Sequence, residues 1–100
     1  MIRHIVMWKF KEEAEGKTKQ ENMDIVRNSL YALPPIISEI KYLEIGYDIN
    51  HTDMSADLAL ITEFESMQTL ETYKNHPDHQ AVSKYVRKVI EDRVVIDFEI

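Results

Sequence analysis

Residues 2–10 read Ile2-Arg3-His4-Ile5-Val6-Met7-Trp8-Lys9-Phe10, and their alternation decides how the chain is built. Successive strand side chains point to opposite faces. Ile2, His4, Val6, Trp8 and Phe10 therefore share one side, and Arg3, Ile5, Met7 and Lys9 share the other. The middle of the segment is apolar on both sides, which suits a strand covered on both faces.

After this strand the polar stretch Lys11 to Gly16 breaks the pattern, and its acidic run Glu12, Glu13 and Glu15 is expected to be a solvated loop. Thr18 with Glu21 forms a capping-box pair that predicts a helix start. Met23, Val26, Leu30 and Leu33 then make one apolar stripe. Pro34-Pro35 ends the helix, because the residue before a proline is pushed out of the α region.

Ile36 to Ile40 read as a short irregular bridge. Residues 41–49 alternate again, with Leu43, Ile45, Tyr47 and Ile49 on one face. The polar turn Asn50 to Ser55 is too long for a two-residue hairpin. A third strand is expected over residues 56–65, with Leu58, Leu60 and Phe64 opposite Ala59 and Ile61. Ser66 is placed to cap a helix carrying Leu70 and Tyr73. His76-Pro77 interrupts that helix, and Pro77 can open its continuation. Val82, Val86, Val89 and Ile90 extend one stripe beyond the break. Residues 93–100 end the chain as a strand with Val94, Ile96, Phe98 and Ile100 on one face and Asp97 and Glu99 on the other.

The order is β-α-β-β-α-β, an α+β ferredoxin-like arrangement expected to occupy residues 1–100 as one domain. Two helices on one sheet face leave the other face bare, although that face still carries many apolar side chains. A patch of that kind is unusual on a monomer. Packing two such sheets face to face buries it, so a homodimer forming an α/β barrel is expected, with a higher oligomer left open.

Composition removes several function classes. The formal net charge is −6 and the longest basic cluster is Arg87-Lys88, so nucleic acid is not an expected partner. No cysteine is present, which excludes disulfides, thiolate catalysis and cysteine-ligated metals. The two glycines, Gly16 and Gly46, cannot form a GxGxxG or Walker-type loop. No apolar run approaches the roughly 20 residues of a membrane span. Arg3, Lys9 and Lys11 interrupt what would be a signal segment, so a cytoplasmic location is expected.

The residues able to carry chemistry are few. An imidazole titrates near neutrality, so His4, on the face it shares with Trp8, can exchange a proton without a large shift. The competing reading is a buried histidine that only satisfies its neighbours. His76 and His79 are three apart across Pro77. His79 is suited to act as a general base, and Tyr73 to stabilise negative charge on an oxygen. His76 has the alternative of capping the helix restart. HxxH without cysteine is a weak metal signal, and neither a metal nor a cofactor is expected. Trp8, Phe10, Phe64, Tyr73 and Tyr85 can line a cavity or simply fill the core.

The opening Ile2 to Lys11, the Ile45-Gly46 strand and Asp57-Leu58-Ala59-Leu60 form part of a wider pattern. It continues through Glu63-Phe64-Glu65-Ser66, then Leu70-x-x-Tyr73-x-x-His76-Pro77-x-His79, and closes on Val95-Ile96-Asp97-Phe98. In this order and spacing the chain resembles the Dabb family of stress-responsive dimeric α/β-barrel domain proteins, over essentially its whole length. The resemblance implies a ferredoxin-like subunit in a homodimeric barrel. Family members range from stress-associated oligomers to a plant polyketide cyclase. In the cyclase-type member, a first-strand histidine, the second histidine of His-Pro-x-His and the preceding tyrosine line the active cavity. The matching residues here are His4, His79 and Tyr73. Val26 and Leu58 stand where that member has a further tyrosine and histidine, so the same substrate is not implied.

The expected function is therefore binding or transformation of a small carbonyl compound by histidine acid/base chemistry. The expected catalytic groups are His4, Tyr73 and His79, with Trp8 and His76 as binding residues. The alternative is a non-catalytic, stress-associated oligomeric protein.

Overall fold

In a computed structural model covering residues 1–100, β1 (Ile2–Phe10) takes the span that its alternation predicts. A miniature hairpin follows, β2 (Glu13–Ala14) and β3 (Lys17–Thr18), then helix α1 (Lys19–Tyr31). Strands β4 (Tyr42–Tyr47) and β5 (Leu58–Phe64) come next. Helices α2 (Met67–Asn75) and α3 (Pro77–Val89) precede the last strand, β6 (Ile90–Glu99).

The main sheet is antiparallel in the order β4-β5-β1-β6, so β1 lies inside it with neighbours on both edges. That position explains its two apolar faces. Its inner face packs Val6, Trp8 and Phe10 against Leu58, Leu60 and Phe64 of β5 and the stripes of the three helices. Val26 and Leu30 from α1, Leu70 and Tyr73 from α2, and Val86 and Val89 from α3 close this core. The connection after α1 adds Leu33, Ile37 and Ile40, all buried.

α1 begins at Thr18, whose hydroxyl accepts the Glu21 N–H while the Glu21 carboxylate accepts the Thr18 N–H, the reciprocal pair read from the sequence. The acidic run is solvated as expected, with Glu12, Glu13 and Glu15 exposed, but it is folded into the miniature hairpin: Glu15 (φ 54°) and Gly16 (φ 73°) are both left-handed, the geometry of a two-residue turn. Three other expectations need correction. β4 stops at Tyr47, and Ile49 lies 91% exposed beyond it. The second helical region is two helices, because His76 is extended (φ −65°, ψ 135°) and Pro77 starts a new helix after it. β6 starts at Ile90 rather than residue 93, since Ile90 already pairs with Phe10 across a register shift.

The sheet face turned away from the helices carries Ile5 and Met7 of β1, Ile61 of β5, and Val94, Ile96 and Phe98 of β6. No element of the chain covers it, and Ile96 is 56% exposed.

Candidate active site

A cavity of about 380 Å³ opens between the inner face of β1 and the helices, walled by β1, β5, α1, α2, α3 and the start of β6. Its volume lies in the range of sites for small molecules. Three local decisions aim its polar groups.

The first is strand register. His4 stands directly opposite Asp97 in the β1–β6 ladder, on the inner face, and is 3% exposed. Its Nδ1 is hydrogen-bonded to the Asp97 carboxylate. A carboxylate accepts only, so Nδ1 carries the proton and Nε2 presents a lone pair with no partner inside the protein.

The second is the break between α2 and α3. The carbonyl of Lys74, in the last turn of α2, accepts hydrogen bonds from Nδ1 of His79 at 3.1 Å and Nε2 of Gln80 at 2.6 Å. The orphan carbonyl at one helix end thus fixes a side chain at the start of the next. It also sets the His79 tautomer, again leaving Nε2 as the unprotonated nitrogen.

The third is the apolar stripe of α2, which buries Tyr73 completely. Its ring lies 4.3 Å from that of His79 and 6.5 Å from that of His4, centroid to centroid, so the phenol neighbours both imidazoles. Phe64 packs on Tyr73 at 4.9 Å and holds it there.

Burial moves the titrations of all three. It pushes the His4 imidazole below its ordinary value, against an upward pull from Asp97. His79 is lowered by burial too, opposed by the Lys74 carbonyl and reinforced by His4, Arg93 and Lys74. Burial pushes the Tyr73 phenol well up, so it remains a protonated donor. The set is two neutral imidazoles with free Nε2 lone pairs around one phenol. Two buried donors lack any partner, Tyr73 Oη and Trp8 Nε1, and both side chains are on the cavity wall. Buried polar groups are nearly always satisfied, so two orphans in one cavity point to a ligand oxygen or to water.

His4, Trp8, Tyr73 and His79 are thus brought together, while His76 is not on the cavity wall. Its Nδ1 accepts the Asp78 N–H at 3.1 Å and caps α3. Phe10 and Phe64 fill the core, and Tyr85 donates to the buried Asn22 side chain instead of entering the cavity. No three histidine or carboxylate side chains converge into a metal-binding group.

Sequence reasoning missed Asp97 as the partner of His4, and it missed the cations Lys74, Arg87 and Arg93 on the wall. The alternation of β6 does put Asp97 off its apolar face. Only the register, unreadable from the sequence, sets it opposite His4.

Set beside known proteins, the sequence pattern of the stress responsive A/B barrel domain matches residues 2–100. Olivetolic acid cyclase from Cannabis sativa is 27% identical over 99 residues, covering 97% of this chain and 94% of the cyclase. A dimeric protein of ferredoxin-like fold and unknown function from Bacteroides fragilis is 30% identical, covers 99% of this chain and 95% of its own, and superposes with a TM-score of 0.79. A dimeric ferredoxin-like protein of unknown function from Thermobifida fusca is 26% identical over 99% of this chain and 90% of its own, with a TM-score of 0.83.

Proposed function

Because the chain belongs to the stress responsive A/B barrel domain family, we propose that its cavity binds a small carbonyl compound and transforms it by acid/base chemistry without a cofactor. The observation that carries this reading is the packing of Tyr73 against both the buried His4 and the half-buried His79 imidazoles, with its hydroxyl unpartnered on the cavity wall.

The chemistry follows from the protonation states. His79 Nε2 removes a proton from the carbon beside the substrate carbonyl. The C–H electron pair moves into the carbonyl π system, and the oxygen that gains charge accepts a hydrogen bond from the Tyr73 hydroxyl. The enolate carbon can then attack a second carbonyl of the same molecule, forming a carbon–carbon bond and an alkoxide. That alkoxide recovers the proton from the His79 imidazolium. Such a ring closure is in keeping with the relative named as a cyclase. His4, its tautomer fixed by Asp97, offers a second base on the other side of the phenol. Trp8 contributes an N–H to the substrate. His76 stays a helix cap in this reading.

General acid–base catalysis contributes about 10²–10⁴ in rate. His79→Ala is therefore expected to reduce turnover of small linear β-polyketones at least about a hundredfold, with an unchanged far-ultraviolet dichroism spectrum. Equal turnover by the variant overturns the assignment.

We propose further that the chain acts as a homodimer in the cytoplasm, with the uncovered apolar sheet face as its interface. The dimeric state of the Bacteroides and Thermobifida proteins supports this. No helix is long and apolar enough to cross a membrane.

A further inference from the structure

The cavity wall carries a charge opposite to that of the chain. The formal net charge is −6, yet none of the 15 wall residues is a carboxylate and three are cations, Lys74, Arg87 and Arg93. Lys74 is drawn toward Glu71 at 3.6 Å. The two arginines have no such partner. Arg87 donates to the Ser83 hydroxyl at 2.9 Å, and Arg93 bonds the Asp92 side chain only through its backbone N–H.

Their positions follow from the elements that carry them. Arg93 stands opposite Trp8 in the β1–β6 ladder, so its side chain leaves the sheet on the face of His4 and Trp8. It is close enough for its charge to lower His4, Tyr73 and His79 alike. Arg87 follows His79 and Ser83 along one face of α3 at intervals of four, and all three face the cavity. A guanidinium is a fork of donors matched to the two oxygens of a carboxylate. The buried orphan donors of Tyr73 and Trp8 add a second, separate demand for ligand oxygen. The rest of the wall is largely apolar, with Val6, Leu60 and Val86 among its residues.

We propose that the cavity takes a small oxo acid, its carboxylate held by Arg93 with Arg87 beside it and its carbonyl oxygen by Tyr73 and Trp8. This rests on the reading of the cavity as a site for carbonyl compounds, and it names the class of compound. A largely apolar wall with arginines and no carboxylate favours a short carbonyl compound that also bears an anion.

Trp8 is the only tryptophan and lines the cavity, so its fluorescence reports occupancy directly. The test titrates the intact protein with 5-oxohexanoate and with its neutral amide, 5-oxohexanamide. A charge-assisted pair strengthens binding by about tenfold or more. The acid is expected to change the emission saturably and to bind about tenfold tighter than the amide. Arg93→Gln, a change at an exposed position, should abolish that advantage while the amide binds as before. Equal binding of acid and amide, an acid preference that survives in Arg93→Gln, or no saturable response to the acid overturns the proposal. Turnover is not read in this titration, so failure of the catalytic reading alone leaves its outcome intact.

Discussion

His4 and His79 are the residues at which burial and protonation are most tightly linked, and the sign of the link is fixed. Both imidazoles titrate below 6.5 in the folded chain and near 6.5 when unfolded. Between the lowered values and 6.5 the unfolded state binds more protons, so stability rises with pH through that window and is lost as pH falls through it. The thermal midpoint is expected to drop on acidification through this interval, and a His4→Gln, His79→Gln double variant should show a flatter profile. A slope that is unchanged in the variant would remove the two imidazoles as its source. Asp97 acts in the other direction, because its carboxylate stabilises the His4 imidazolium. Asp97→Asn should therefore lower the His4 titration midpoint further, as followed by proton NMR of the ring; a midpoint that rises contradicts the pairing. The face that His4 shares with Val6 and Trp8 could be read from the sequence because strand alternation is a local property, whereas Tyr73 and His79 were marked by residue chemistry and the family resemblance. The His4–Asp97 pair spans 93 residues, and a one-residue slip of β6 would turn Asp97 to the opposite face, so no local pattern could reveal it.

At the scale of elements, the junction between α2 and α3 does the most to position the site. A continuous helix would carry His79 round with Tyr73 at fixed helical spacing. Pro77 instead starts a new helix, while His76 accepts the free Asp78 N–H at its start. Losing such a cap costs about 1 kcal/mol. His76→Ala is expected to lower unfolding stability in urea by about that amount, and His76→Asn, which retains a short acceptor, to recover most of it. Equal loss in both variants would show that the ring's packing matters rather than its acceptor. The proline marked the interruption in the sequence, but how the helix after it docks through Val86 and Val89 is a tertiary matter. The hairpin after β1 was hidden for a related reason. Glu15 takes a left-handed conformation that its residue type does not advertise, and only Gly16 signalled a turn.

The whole molecule is asymmetric in its sheet, with one face filled by helices and the other bare. Val94, Ile96 and Phe98 are 50%, 56% and 37% exposed on the bare face. They lie on strand β6 next to Ile5 and Met7 of β1, so the apolar surface is contiguous rather than scattered. Burying apolar surface stabilises by about 25 cal/mol per Å², and a second copy offers the same surface about a two-fold axis. The cavity is lined from the opposite side of the sheet, so an interface on the bare face uses none of its β1 and β6 wall residues His4, Val6, Trp8 and Arg93. A charge at the centre of the bare face should separate the two roles. In Ile96→Asp an unpaired carboxylate would have to be buried in the interface, at a cost that exceeds the gain from the surrounding contacts. The side chain already projects from the folded chain, so the fold itself has no reason to fail. Sedimentation equilibrium is expected to give a dimer for the natural chain and a monomer for Ile96→Asp, with 5-oxohexanoate still bound by the monomer. A variant that remains dimeric places the interface elsewhere. A monomer that has lost the ligand would mean that the partner subunit shapes the cavity across the sheet.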